Sequence, residues 1–457
     1  MVFSSLIFLF RFMPIFFVIY YLVPAGWKNL ILFGGSIIFY AWGEPRYLIL
    51  VLLSVFVNYF LATFIVKSGE RAGGRKFFLF LAILYNVGML FFFKYSAFFL
   101  SSLNGLFGWK LPVPDILLPL GISFYTFQIL SYIIDVYRGN CRASNSILNL
   151  GTYLIMFPQL IAGPIVIYGD VEKDLKKRKI EIINVERGLK TFSLGLASKV
   201  LLANNLGNIW SACGEAGFDD ISTPFAWLGI IAYGLQLYFD FNGYSLMAIG
   251  LGDMLGFRFP ENFDFPYSAA SVTDFWRRWH KTLTGWFREY IYIPLGGNRK
   301  GKFRTILNIL IVWLITGLWH GAAWNFVLWG FYYFLLLALE RLFLGKLLKG
   351  SRVLSRIYTL FFVFCGWVLF VASSMSEIGI LFSRMFVWHP GSEYLEYLTN
   401  YGSVLIASVI FATPLLRKYY RNHSNRMPVL IFLCLLFWGS VVQLVDSVYN
   451  PFLYFRF

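Results

Sequence analysis

Charged residues are scarce in this sequence. They make up 14% of its 457 residues, against about 25% in soluble proteins. No long polar stretch could form a soluble domain, and the apolar runs are continuous, whereas the strands of a membrane β-barrel alternate apolar and polar residues. These absences exclude a soluble enzyme with one anchor and a β-barrel. They predict an all-α polytopic membrane protein surrounded by lipid, with roughly eleven transmembrane helices at about 20 residues per span.

Several kinds of reactive site are also missing. The four cysteines lie far apart and form no CxxC pair, so neither a metal site nor a disulfide framework is indicated. The chain has no GxSxG motif, no Cys–His arrangement and no cluster of metal ligands, which are the signatures of the common nucleophilic and zinc enzymes. We therefore expect no metal and no bound cofactor.

Acidic residues are few as well, 23 against 39 basic residues, which gives a formal net charge of +16. Most of the basic residues fall in five short blocks, at 67–76, 173–190, 277–304, 341–356 and 417–426. Short loops rich in Lys and Arg stay on the cytoplasmic side of a membrane, so topology explains the charge and we expect no nucleic-acid binding. Without internal repeats or linkers, the chain is predicted to form one membrane domain over 1–457.

The apolar runs between these blocks predict the spans. They lie near 77–93, 95–109, 116–134, 149–168, 191–210, 224–240, 357–373, 402–416 and 429–447, with two short spans that turn around 320–322.

The segment from 275 to 290 has a different pattern. On a helix, its aromatic residues, Leu283 and His280 form one stripe, while Arg277 and other charged residues lie on the opposite face. Ser271 and Asp274 have the spacing of a helix N-cap. The pattern predicts a continuous helix in the membrane interface with its aromatic face towards the lipid.

His320 lies in the apolar hairpin LNILIVWLITGLWHGAAWNFVLWG. Polar residues inside a membrane are costly and are functional candidates by default. Fifteen residues separate His320 from the basic Arg304, about 22 Å along a helix, which places His320 past the middle of the membrane from the cytosol. The structural alternative is a neutral imidazole bonded to a backbone carbonyl.

Other residues are weaker candidates for substrate binding. Asp240 and Asn242 end an apolar run, where they could orient a histidine or bind a polar substrate, or simply hydrogen-bond a helix end. Trp319 and Trp324 flank the hairpin turn, where they, with Gly317 and Gly321, would line a narrow tunnel. Arg277 and Arg299 are basic candidates. Arg299 could contact the phosphates of a nucleotide-like donor, although membrane topology is the stronger explanation of its charge.

These same residues carry a resemblance to the membrane-bound O-acyltransferase (MBOAT) family. The motifs are FYAWGEPRYL at 39–48, SFYTFQILSYIIDVYRG at 123–139, FPQLIAGPI at 157–165, YFDFNGYSLMAIGLG at 238–252, FWRRWHKTL at 275–283, IPLGGNR at 293–299 and GLWHGAAWNF at 317–326. Within the family the sequence is most similar to the bacterial alginate O-acetylation type. The resemblance implies that His320 is the intramembrane catalytic histidine and that His280 is the second histidine of the active site.

The resemblance also implies a reaction. It points to a protein of the inner or plasma membrane that takes an acetyl group from a cytosolic donor, acetyl-CoA. The group would pass through a funnel around the buried histidines to a polysaccharide such as alginate. An extracytoplasmic acetyltransferase would be the partner. His320 would act as the base or acyl relay and His280 would assist. Two alternatives stay open: transfer of D-alanine or another acyl group from a carrier protein, and a proton or solute transporter that uses His320 and Asp240.

Overall fold

The computed structural model describes residues 1–69, 72–160, 163–446 and 453. This part of the chain is mainly helical and contains no strand. The result confirms the all-α prediction. The physical reason is that, in hydrocarbon, a helix satisfies every backbone N–H and C=O within its own segment.

The chain divides into two compact units, Met1–Phe192 with Met247–Pro260, and Ser193–Leu246 with Glu261–Phe457. The prediction of one domain over 1–457 stays a prediction. The helices up to the start of the second unit are α1 Met13–Leu22, α2 Lys28–Gly43, α3 Leu48–Lys67, α4 Ala72–Leu90, α5 Ser96–Phe107, α6 Ile122–Arg138, α7 Ile147–Ile155, α8 Phe157–Leu160, α9 Tyr168–Lys176 and α10 Ile182–Ala197.

The remaining helices belong wholly or partly to the second unit. They are α11 Asn204–Ala216, α12 Thr223–Leu255, α13 Val272–Arg278, α14 Lys281–Phe287, α15 Gly301–His320, α16 Trp324–Leu339, α17 Gly345–Leu347, α18 Arg352–Val371, α19 Met375–Phe386, α20 Tyr394–Phe411, α21 Arg417–His423 and α22 Met427–Asp446.

Six helical segments of the described chain are long and apolar enough to cross a membrane: Pro45–Lys67, Gly73–Phe107, Gly301–His320, Trp324–Gly350, Arg352–Val371 and Met427–Asp446. A seventh is possible if Tyr394–Phe411 and Pro414–His423, bent by 62°, form one span. The multi-pass architecture is therefore confirmed, and the figure of roughly eleven spans stays a prediction.

Two predicted span boundaries were wrong. The runs 77–93 and 95–109 form one continuous helical segment, Gly73–Phe107, in which Lys94 lies in a π-helical turn at Phe91–Tyr95. The run 149–168 is not a single helix, since α7 ends at Ile155 and the chain continues through Pro158 and Pro164. Hydropathy alone detects neither a π-turn that absorbs a charge nor a short buried helix.

Within the second unit, α15 and α16 form the hairpin that carries His320. Their backbones are in close contact: a Cβ added to Gly317 would lie 2.2 Å from the carbonyl oxygen of Phe326, and one added to Gly330 would lie 2.4 Å from that of Trp313. Small residues at such positions let two helices pack backbone to backbone. The hairpin thus presents His320, the last residue of α15, at a turn that close packing holds in place.

Candidate active site

Both histidines that the sequence singled out are buried within the second unit. His280 is 2% exposed and His320 is 4% exposed. His320 ends α15 at the predicted turn, and His280 lies between α13 and α14. The ring of Trp319 lies 6.0 Å from that of His280 and 5.0 Å from that of His320. One indole therefore contacts both imidazoles and joins them into a single site.

The predicted continuous helix over 275–290 was wrong. The helix breaks at His280, whose backbone is left-handed with φ 45° and ψ 55°, and Ser271 caps the first half as predicted by accepting from the N–H of Asp274. Apart from His280, Phe265 is the one non-glycine residue of the described chain with positive φ. Such a conformation costs about 1–3 kcal/mol and persists where the surroundings over-determine it.

The aromatic stripe also faces elsewhere than predicted. Phe275, Trp276, Trp279 and the other residues of the stripe are all buried. Trp276 packs edge-on against Trp329, with ring centroids 5.4 Å apart, so the stripe contacts protein and not lipid. Periodicity identified the buried face correctly, but it could not distinguish a helix lying on lipid from one covered by other helices.

The segment 262–264 holds the break at His280 from both sides. The N–H of Asp264 donates to the carbonyl of Arg278 at 3.0 Å, and the N–H of Lys281 donates to the carbonyl of Asn262 at 2.8 Å. These bonds satisfy backbone groups that the interrupted helix cannot pair. They fix the main chain on either side of the strained residue.

The His280 ring is fixed as well. Its Nδ1 lies 3.0 Å from Oδ1 of Asn262, and its edge contacts the ring of Phe241, whose centroid is 4.7 Å away. Nε2 has no hydrogen-bond partner in the described part of the chain. Burial lowers the pKa of the His280 imidazole to about 3, so the ring is neutral at physiological pH.

Aromatic rings surround His320. The centroids of Trp319, Trp329 and Phe370 lie 5.0, 5.1 and 5.3 Å from its own, all in edge-to-face arrangements. Such a setting excludes water and strengthens any electrostatic interaction made inside it. A polar or charged group inside this cage of rings would interact more strongly with His320 than it would in water.

Asp240 has a different environment from the one expected. Its carboxylate lies 2.5 Å from the ammonium of the equally buried Lys199 and accepts from the N–H of Leu453 at 2.8 Å. These contacts hold the carboxylate within the fold. Phe241 is the residue of α12 that contacts His280. Asn242, half-buried two positions further on, remains a predicted substrate contact.

Three other predicted substrate residues lie at the surface. Trp324 is 59% exposed, and the side chains of Arg277 and Arg299 are also exposed. Their assignments stay predictions. The space beside Gly317 and Gly321, expected to admit a ligand, is occupied by Phe326.

Three residues that support the site were not identified from the sequence. Asn262 contacts His280, Lys199 neutralises Asp240, and Glu340 binds the N-terminus of α13. Lys199 and Glu340 each lie in or beside an apolar run, the signal that identified His320, but the sequence analysis singled out neither of them. Asn262 lies in a polar loop and carried no such signal.

Comparison with known proteins adds to this geometry. Residues 37–382 match the membrane-bound O-acyltransferase family. The chain is 38% identical over 501 residues to the probable alginate O-acetylase AlgI of Azotobacter vinelandii, covering 100% of both chains. It is 32% identical over 519 residues to the peptidoglycan O-acetyltransferase of Helicobacter pylori, covering 100% of this chain and 98% of that one. Its match to the teichoic acid D-alanyltransferase of Streptococcus thermophilus is 30% over 247 residues, covering 50% of this chain and 58% of that protein.

Proposed function

The chain belongs to the membrane-bound O-acyltransferase family, and we propose that it takes an acetyl group from cytosolic acetyl-CoA and delivers it across the membrane for O-acetylation of an extracellular polysaccharide such as alginate. The family resemblance drawn from the motifs is confirmed, as is the multi-pass acyltransferase class. The donor, the direction of transfer and the inner or plasma membrane location are parts of the proposal.

The observation that carries the proposal is the pair of buried imidazoles on either side of Trp319. Acyl transfer from a thioester to a hydroxyl needs a group that accepts the hydroxyl proton, and a neutral imidazole suits this role. The acceptor oxygen bonds to the acetyl carbonyl carbon, the carbon–sulfur bond breaks, and the hydroxyl proton passes through an imidazole to the departing thiolate. In this scheme His320 is the base or acyl relay, and His280 assists.

Full-length similarity favours acetyl over D-alanine as the transferred group. The proteins named for acetylation match over all of this chain, whereas the D-alanyltransferase matches over half of it. The transporter alternative relied on Asp240 as a partner of His320, but Lys199 neutralises that carboxylate. An acyl funnel that meets at the two histidines is the arrangement that this proposal requires.

A second protein completes the proposed pathway. Outside the five basic blocks, the longest polar-containing stretch of the sequence is about 374–401, which is short for a domain that surrounds a polymer. Recognition of one sugar hydroxyl calls for several polar groups around a concave site. We therefore assign the final step to an extracytoplasmic polysaccharide acetyltransferase that receives the acetyl group from this chain.

Reconstitution tests the proposal. Vesicles that contain the purified protein, with labelled acetyl-CoA inside and alginate outside, should acetylate the polymer when the partner acetyltransferase is added, and should fail with His320→Ala. Transfer from a D-alanyl carrier protein but not from acetyl-CoA would refute the donor. Efficient acetylation without a second protein would refute the partner, and solute uptake without acyl turnover would refute the enzyme.

A further inference from the structure

The buried amide of Asn262 forms the hydrogen bond that orients the His280 ring. Asn262, which is 1% exposed, directs Oδ1 towards three groups: Nδ1 of His280 at 3.0 Å, the hydroxyl of Thr282 at 2.9 Å and the backbone N–H of Thr282 at 3.3 Å. On its other side, Nδ2 of Asn262 donates to the hydroxyl of Ser245 at 3.3 Å. The amide is thus held at both ends.

The orientation of this amide follows from its partners. A backbone N–H can only donate, so the atom of Asn262 that faces the N–H of Thr282 must be the acceptor, Oδ1. If the amide were flipped, two donors would face each other there. Because Oδ1 cannot donate, the nitrogen of His280 that contacts it must carry a hydrogen. The neutral ring is therefore protonated on Nδ1, and Nε2 presents a lone pair.

From this geometry, and resting on the proposed function, we propose that Asn262 is a positioning residue that fixes the tautomer of His280 so that Nε2 accepts the proton of the acyl-acceptor hydroxyl. An oxyanion would need a donor at Nε2, which this tautomer lacks. Of the assisting roles open to His280, proton acceptance is the one that the hydrogen bonds support, and His320 then has the acyl-relay role.

The backbone supports the same conclusion. The left-handed conformation of His280 and the two bonds from segment 262–264 bring the imidazole over Asn262. The strain at this residue is maintained by the same segment that supplies the amide. Strain of this kind gathers at sites where a side chain must be pre-organised.

In the proposed step the hydroxyl proton moves to Nε2 and then to the departing thiolate, while the new oxygen–carbon bond replaces the carbon–sulfur bond.

Nitrogen NMR tests the tautomer independently of activity. The sequence contains four histidines, so full-length protein labelled with ¹⁵N-histidine in nanodiscs gives few signals, and His280→Gln assigns the relevant pair. At pH 7 we expect a protonated Nδ1 and an unprotonated Nε2. Asn262→Leu should convert the ring to the other tautomer or to a mixture, and Asn262→Asp should retain the hydrogen on Nδ1.

A matched control separates this effect from general loss of stability. Asn86→Leu removes another buried amide, one that pairs with Asn58 in the first unit, and it should leave the His280 signals unchanged. A hydrogen on Nε2 in the wild-type protein, or no change in Asn262→Leu, would overturn the proposal.

Kinetics tests the consequence for transfer. Asn262→Leu should lower kcat for acetyl transfer by about 10²-fold, the lower end of the contribution of a general base, with KM within about twofold. Asn262→Asp should recover most of that loss and move the acid limb of the pH–rate profile to higher pH, because a carboxylate favours the imidazolium. A changed tautomer with unchanged kcat would overturn the role in transfer. If wild-type protein transfers no acetyl group but shows the expected nitrogen signals, the proposed function fails and the tautomer assignment stands.

Discussion

The two histidines of the site are held by different forces. His280 lies at a strained helix break, and a hydrogen bond to Asn262 directs one of its nitrogens. His320 ends a regular helix of 20 residues, and rings such as Trp329 and Phe370 surround it. A hydrogen bond specifies which nitrogen carries a proton, whereas ring packing fixes mainly the plane of the imidazole. The hydrogen bond to Asn262 thus defines which nitrogen of His280 carries a hydrogen, and the rings around His320 define the plane of its imidazole.

Removing His320 should have the largest effect. His320→Ala should abolish acetyl transfer. His320→Phe, which keeps a packed ring but has no nitrogen to carry the acetyl group, should lower it by at least the 10²–10⁴-fold typical of a lost general base. His423→Ala, at a half-buried histidine outside the site, is the control and should be neutral. The measurement is the steady-state rate of acetyl transfer, made on variants whose unfolding midpoint is unchanged. Near-normal transfer by His320→Phe would mean that His320 acts by shape alone.

Breaking the buried ion pair between Lys199 and Asp240 should have the next largest effect. Lys199→Met leaves the carboxylate of Asp240 buried without its cation, which costs about 3–5 kcal/mol and loosens α12, the helix that places Phe241 against His280. Thermal unfolding in detergent measures the loss. Lys176→Met, at the more exposed pair with Glu172, should cost about 0–1 kcal/mol. Equal losses in the two variants would contradict the structural role of the buried pair.

Removing Glu340 should disturb α13, the helix that leads to His280, because Glu340 binds its N-terminus. Its buried carboxylate accepts from the N–H of Val272 and from the N–H and hydroxyl of Thr273, at 2.5–2.9 Å. Glu340→Ala leaves those donors unpaired, at about 1–3 kcal/mol for a buried unsatisfied group, and should reduce kcat more than it changes KM. The control is Glu377→Ala, which removes a less buried carboxylate that accepts from the N–H of Ser373. If both variants behave alike, α13 does not depend on this carboxylate.

Trp324 should have the smallest effect and tests the sequence-based assignment directly. Because its side chain is 59% exposed, Trp324→Ala should change the unfolding free energy by less than about 0.5 kcal/mol and kcat by less than about twofold. Trp319→Ala, at the indole between the two imidazoles, should be far more damaging. A large rise in KM for Trp324→Ala would support its predicted place in the substrate path.

Several features followed from the sequence because they depend on local chemistry. An apolar majority with clustered basic residues requires a helical membrane protein, and the aromatic stripe of 275–290 identified residues that are all buried. His320 was recognisable because an ionisable group in a long apolar run must have a purpose or a partner. The end of α15 at His320 followed from the glycine and small residues after it.

The remaining features depend on contacts between residues far apart in the sequence. Periodicity indicated an unbroken helix through His280, and only the bonds from segment 262–264 show why the chain takes a left-handed turn there. Likewise, Asp240 resembled a substrate ligand until Lys199, 41 positions away, was found beside it. Sequence patterns indicate whether a residue is buried, because buried positions favour apolar residue types. They do not indicate which distant group forms a hydrogen bond or ion pair with a buried polar residue. That choice is made by the tertiary structure, and in this protein it decides which nitrogen of His280 carries the hydrogen.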